Sequence, residues 1–146
     1  MKITMNKISL ILMMVMVMAS CKSAKFVYTK DSLSKCINDY DQKLLRKNLK
    51  QDKKSKFIVV REIQFDFQNC IGAFSFELSN KISSVGLHKN IALKINENIY
   101  LREENEEVNK KTFDDLEYLL DDYFNSEELD YIKNVFISGS HRGKLK

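Results

Sequence analysis

Residues 57–78 read FIVVREIQFDFQNCIGAFSFEL, and their alternation decides the fold. Phe57, Val59, Ile63, Phe65 and Phe67 share one parity, while Val60, Glu62, Gln64, Asp66 and Gln68 share the other. Period-two alternation of this kind describes a half-buried strand. Arg61 interrupts the apolar parity, so it snorkels outward, marks a bulge or pairs with an internal acid. It is the charged residue of this strand singled out for a functional role, with structural pairing as the plainer account. Gln68-Asn69 reads as a turn. Cys70, Gly72, Phe74, Phe76 and Leu78 then share a face opposite Ser75 and Glu77, and the two strands make a hairpin. Gly72 suits a close backbone approach or a bend.

The pattern continues downstream. Ile91, Leu93 and Ile95 alternate, Asn96-Glu97-Asn98 is a turn signal, and Ile99 to Leu101 returns as a second hairpin. Upstream, Leu33, Cys36, Ile37, Tyr40 and Leu44 recur at helical spacing and predict one helix over 32–49, capped by Thr29 or Asp31. Thr112, with Asp115 three residues on, predicts the start of a helix whose buried stripe is Phe113, Leu116, Leu119, Leu120, Tyr123 and Phe124. Asp121 and Asp122 sit badly at its C-terminal end and must tolerate the dipole or meet a base, for which the lysine-rich first helix is a candidate. Asn125-Ser126 caps a following helical turn. Val135, Phe136 and Ile137 look strand-like, although Leu129, Ile132 and Phe136 also fit a helical stripe. The expectation is a short helix and then a terminal strand. The fold class predicted is α+β: a small antiparallel sheet of four or five strands packed against two or three helices on one face. A single domain is expected over 29–138, between a short tether (21–28) and a basic tail (139–146).

Charge is unevenly distributed. Residues 22–61 hold twelve Lys or Arg against four acids, whereas residues 103–146 hold twelve acids against six bases. Such a split either folds back on itself or presents two surfaces to partners. Nucleic acid is not suggested, because no aromatics interleave with the lysines of 51–56. No cofactor or metal is indicated. His88 has neither a second histidine nor an acid at metal spacing, and Glu103, Glu104, Glu106 and Glu107 lack the glycine and alternating oxygens of a calcium loop. His141 beside Arg142 in the tail reads as a frayed terminus, with anion contact as the alternative. No serine sits in a nucleophile elbow, and no carboxylate pair stands out from the solvated helix and turn. The expectation is a protein that is not an enzyme.

The first twenty residues are different in kind. Lys2 and Lys7 precede the apolar run from Ile8 to Val17, and Met18-Ala19-Ser20-Cys21 closes it with small residues before a cysteine. A charged head, a short apolar core and a small-residue cut site are the parts of a signal peptide. All six methionines lie at or before Met18, so composition changes at the proposed junction. The segment resembles the lipobox of bacterial lipoproteins, with Met18 where Leu is usual. That resemblance implies removal of residues 1–20, lipidation of Cys21 with acyl chains such as palmitate, and attachment to a lipid bilayer. Lys22 and Ser23 provide neither the aspartate associated with inner-membrane retention nor the acidic run associated with surface export. By resemblance the expected location is therefore the outer membrane of the cell envelope, facing the periplasm.

Export permits a disulfide, and acylation of Cys21 leaves Cys36 and Cys70 as an even pair. Both fall on faces that independent periodicities predict to be buried. A Cys36–Cys70 disulfide is expected, with a buried free pair as the alternative. The functional expectation is a small non-catalytic envelope lipoprotein that binds a protein or peptide partner in the periplasm. The alternative is a protective or inhibitory lipoprotein acting on a toxin or hydrolase, and a small hydrolase is the third class.

Overall fold

The 57–78 stretch forms the expected hairpin, and the sheet grows from it in both directions. The structure, a computed structural model, describes residues 23–50, 54–82 and 90–139. Cys21, His88, His141, the signal-like segment and most of the basic tail lie outside the described residues. The elements run β1 (Lys25–Tyr28), α1 (Asp31–Cys36), α2 (Asp39–Asn48), β2 (Phe57–Asp66), β3 (Ile71–Ser79), β4 (Asn90–Ile95), β5 (Asn98–Leu101), α3 (Glu106–Leu120) and α4 (Ser126–Ser138). The fold is a small α+β arrangement, with a five-stranded sheet packed against helices.

Spatial order follows sequence order, β1-β2-β3-β4-β5. Three pairings are antiparallel, as expected. The fourth is parallel: β1 runs beside β2 with Phe26 opposite Ile58 and Tyr28 opposite Val60. The stretch expected to be a tether thus contributes a strand, and the sheet is mixed. A parallel neighbour requires a crossover, and here α1 and α2 lie between β1 and β2 in the chain.

The helices occupy both faces of the sheet, where one was expected. Ile71, Ala73, Ile91, Leu93 and Ile95 pack with Phe113, Leu116, Leu120, Ile132 and Phe136 of α3 and α4. Residues of the opposite parity, including Phe74, Phe76 and Ala92, pack with Leu33, Cys36, Ile37 and Leu45 from α1 and α2. The reason is in the pleat. β3 is apolar on both parities, with Ile71 and Ala73 on one and Phe74 and Phe76 on the other, so each face must be covered.

One irregularity re-aims β2. The register between β2 and β3 shifts between Glu62 and Gln64. Before it, Ile58 and Val60 face α1 and α2; after it, Phe65 and Phe67 do. Ile63 packs on the α3–α4 side. An extra residue reverses which parity faces which side. The single apolar parity read along 57–67 is therefore divided between two cores. Gly72, opposite Phe65, has a φ of +152°, and an added Cβ would lie 2.3 Å from the Gln64 carbonyl oxygen. Only glycine fits beside this kink.

The helix expected over 32–49 is two helices. Asn38 interrupts it: its side chain accepts from the Asp41 N–H at 3.0 Å, and the Asp41 carboxylate accepts from the Asn38 N–H at 2.9 Å. This reciprocal capping box restarts the helix and turns Tyr40 out to solvent, at 68% exposure. Downstream, Asn105 rather than Thr112 caps α3, so that helix begins at Glu106. Tyr123 lies beyond its end and is exposed, outside the expected stripe. The last segment is helical throughout. Asn125 and Glu128 form a second capping box, Leu129, Ile132, Val135 and Phe136 are buried, and Gly139 ends α4 in the left-handed conformation. Burial of a helical stripe overrides the β-branched composition of 135–137.

Candidate interaction surface

Cys36 and Cys70 are joined by a disulfide, with their Cα atoms 5.2 Å apart. Cys36 ends α1 and Cys70 stands in the turn before β3, in a left-handed conformation with φ of 55°. The bond fastens the α1–α2 layer to the sheet. Periodicity located both partners, since each lies on the face that the α1–α2 core buries.

Arg61 is half-buried in β2. Its Nη2 lies 3.5 Å from Glu77 Oε1 on β3, with side chains 25% and 12% exposed. The neighbouring Glu62 pairs instead with Lys30, whose ammonium stands 5.7 Å from the centre of the Phe67 ring. Arg61 is thus held in cross-strand pairing with an acid.

Two polar arrangements lie outside the sequence-based expectations. The first is an ion pair inside the α1–α2 core: Lys94 Nζ lies 2.9 Å from Asp41 Oδ2, with the side chains 2% and 0% exposed. Asp41 reaches it from the first turn of α2, and Lys94 from the next-to-last residue of β4, between Gly72 and Ile99. The only sequence signal was parity: Lys94 alternates with Ile91, Leu93 and Ile95 and shares its face with Ala92. The second is Asn109, 1% exposed in α3. It accepts from the Glu103 N–H at 2.7 Å and donates to the Glu103 carbonyl at 2.9 Å. Arg102 also reaches the end of α4, donating to the Ile137 carbonyl at 3.1 Å from Nη2. Together they fix the β5–α3 connection against the C-terminus of α4.

These anchors hold two surfaces of opposite charge on opposite sides of the sheet. On the α1–α2 side, Lys35, Lys43, Arg46 and Lys47 are exposed. On the α3–α4 side, Glu107, Asp115, Asp122, Glu127 and Asp130 are exposed. The uneven charge of the chain is therefore presented as two separate surfaces. Asp121 and Asp122 remain open to water on the side away from the lysine-rich helices. Lys133 is the base that meets the acidic layer, at 3.1 Å from both Asp114 and Glu117. Those two carboxylates, Asp114 first, hold its pKa above the ordinary lysine value. Along the outer side of α3, Val108, Lys111, Asp115 and Tyr118 recur at spacings of three and four, Asp122 follows just past the helix end, and all are exposed. Tyr118 is 70% exposed.

Among the described residues no group of His, Cys, Asp or Glu is placed to hold a metal ion, and no helix is long and apolar enough to cross a membrane. The chain matches no protein-family model, and neither a curated protein nor a solved structure matches it.

Proposed function

We propose that this chain is a small non-catalytic envelope lipoprotein, anchored through acylated Cys21, that binds a protein or peptide partner in the periplasm through the outer face of α3. The observation that carries the binding reading is Tyr118. A large aromatic side chain, 70% exposed, stands next to Asp115 and Asp122, with Lys111 and a further apolar group at Val108 toward the start of the helix. An aromatic anchor ringed by charge has the composition of a binding hot spot, and its sign selects a basic partner with an apolar group to set against the ring. The disulfide supports the export half of the reading, because such bonds persist in oxidising compartments. The signal-like start and the small residues before Cys21 support anchoring.

Co-purification from detergent-solubilised envelope tests the reading. The wild-type protein retains a resident partner, and the double variant Asp115→Lys/Tyr118→Ser, unchanged in its thermal unfolding, loses it. Equal retention by both proteins sinks the assignment to α3. If the captured protein is instead a hydrolase or toxin whose activity the chain neutralises, the protective alternative replaces it.

A further inference from the structure

The opposite layer carries an inference of its own, which rests on the anchored reading above. We infer that the exposed face of α2 lies against the anionic headgroups of the membrane to which Cys21 is attached. Tyr40, Lys43 and Lys47 recur at spacings of three and four, on the side of α2 away from buried Asp41 and Leu45, and Lys50 follows just past the helix end. Tyr40 is 68% exposed. Among the described residues no carboxylate pairs with Lys43, Lys47 or Lys50. Asp39, four residues before Lys43, is an exposed acid on this face and is outnumbered by the lysines. An aromatic beside a surplus of lysines is the composition of a helix that lies in a membrane interface.

The position of the anchor supplies the geometry. Arg46 Nη2 donates to the Ala24 carbonyl at 3.2 Å, and its guanidinium lies 4.9 Å from the centre of the Phe26 ring. These contacts tie α2 to the start of β1. Cys21 precedes Ala24 by three residues, which span at most about 11 Å when fully extended. A lipid on Cys21 therefore holds α2 within reach of the bilayer surface. A basic residue close to an anionic leaflet strengthens adhesion by a factor of about five, and covalent anchoring makes that attraction local. With the basic layer inward, the acidic α3–α4 layer faces away from the membrane, toward the partner proposed above.

The test uses the mature protein purified in detergent and returned to vesicles of phosphatidylcholine, with or without phosphatidylglycerol. Amine-reactive labelling is read residue by residue by mass spectrometry. On anionic vesicles, labelling at Lys43, Lys47 and Lys50 is expected to fall severalfold, while Lys110 and Lys111 label as in detergent. The protection fades at high salt. The variant Lys43→Glu/Lys47→Glu restores labelling at Lys50. A lipidated protein labelled equally on both faces overturns this inference alone. Protection already present in detergent also overturns it, because a second copy or a bound protein then covers the face. An intact mass without added lipid overturns the anchored reading and this inference with it.

Discussion

Lys94 Nζ and Asp41 Oδ2 meet at 2.9 Å with both side chains almost completely buried, so the α1–α2 core is built around an ion pair. Asp41 Oδ2 also accepts the Asn38 N–H, and Oδ1 is buried without a hydrogen-bond partner among the described residues. Removing one charge strands the other in an apolar layer. Lys94→Met should therefore destabilise the fold by about 3–5 kcal/mol in urea unfolding. Lys94→Met combined with Asp41→Asn keeps a polar group near the Asn38 cap and should recover most of that loss. A double variant as unstable as the single one would show that the charge is not the source of the penalty.

The Cys36–Cys70 disulfide spans 34 positions of sequence. Loop-entropy reasoning gives a closure of that length about 4 kcal/mol of stabilisation. Cys36→Ala/Cys70→Ala should lower unfolding stability by roughly that amount, and added reductant should then have no further effect. An unchanged denaturation midpoint would contradict it.

Asn109 completes the β5–α3 connection. Asn109→Ala leaves the Glu103 N–H and carbonyl without the partner they have now. A loss of about 1–3 kcal/mol is expected. Amide exchange at Glu103 should quicken before exchange in β3, because the damage begins in this connection.

Glu97 and Asn96 both have positive φ, 66° and 46°, in the two-residue turn between β4 and β5. Such turns favour Asn-Gly. Glu97→Gly should raise stability by about 0.5 kcal/mol, the relief of strain being partly offset by the greater freedom of glycine when unfolded. A loss in thermal unfolding would count against the strain account.

Asp66 organises the turn after β2. It accepts from the Asn69 side chain at 2.9 Å, and from the N–H groups of Gln68 and Asn69. The Asn69 side-chain bond, first among these causes, holds the Asp66 carboxyl below the ordinary aspartate value. Its contribution is therefore present above that ordinary value and is lost as pH falls through the lower folded value. The site is open to solvent, so Asp66→Ala should cost no more than about 1 kcal/mol at neutral pH. The difference from wild type should shrink progressively as the pH falls below the ordinary aspartate value. A constant difference across the acid range would remove the carboxylate from the account.

Much of this arrangement was legible in the sequence wherever a local period meets burial. The β2–β3 hairpin, the second hairpin and the buried pair Cys36 and Cys70 follow from parity. The stripe through Phe113, Leu116 and Leu120 follows from helical spacing. Features set by single side chains were harder to read. Asn38 divides the first helical segment through its bond to Asp41, but the apolar spacing runs across the break without a gap. The bulge at Glu62–Gln64 transfers Phe65 and Phe67 to the other core, and the break in alternation at Arg61 left a bulge as only one of three readings. β1 is only four residues long, and it becomes a strand because β2 offers it a ladder. Of the candidate surfaces, charge asymmetry left open whether the basic and acidic stretches meet or stand apart. Only the topology, with helices on both sides of the sheet, separated them.

The outermost strands, β1 and β5, are each four residues long. A border of that length offers few free backbone groups, and long flat borders are the templates on which neighbouring chains add strands and aggregate. Lysine is well suited to discouraging such additions, and Lys25 opens β1 in an exposed position. The sheet is therefore poorly equipped to recruit strands from its neighbours, even where many copies are crowded together.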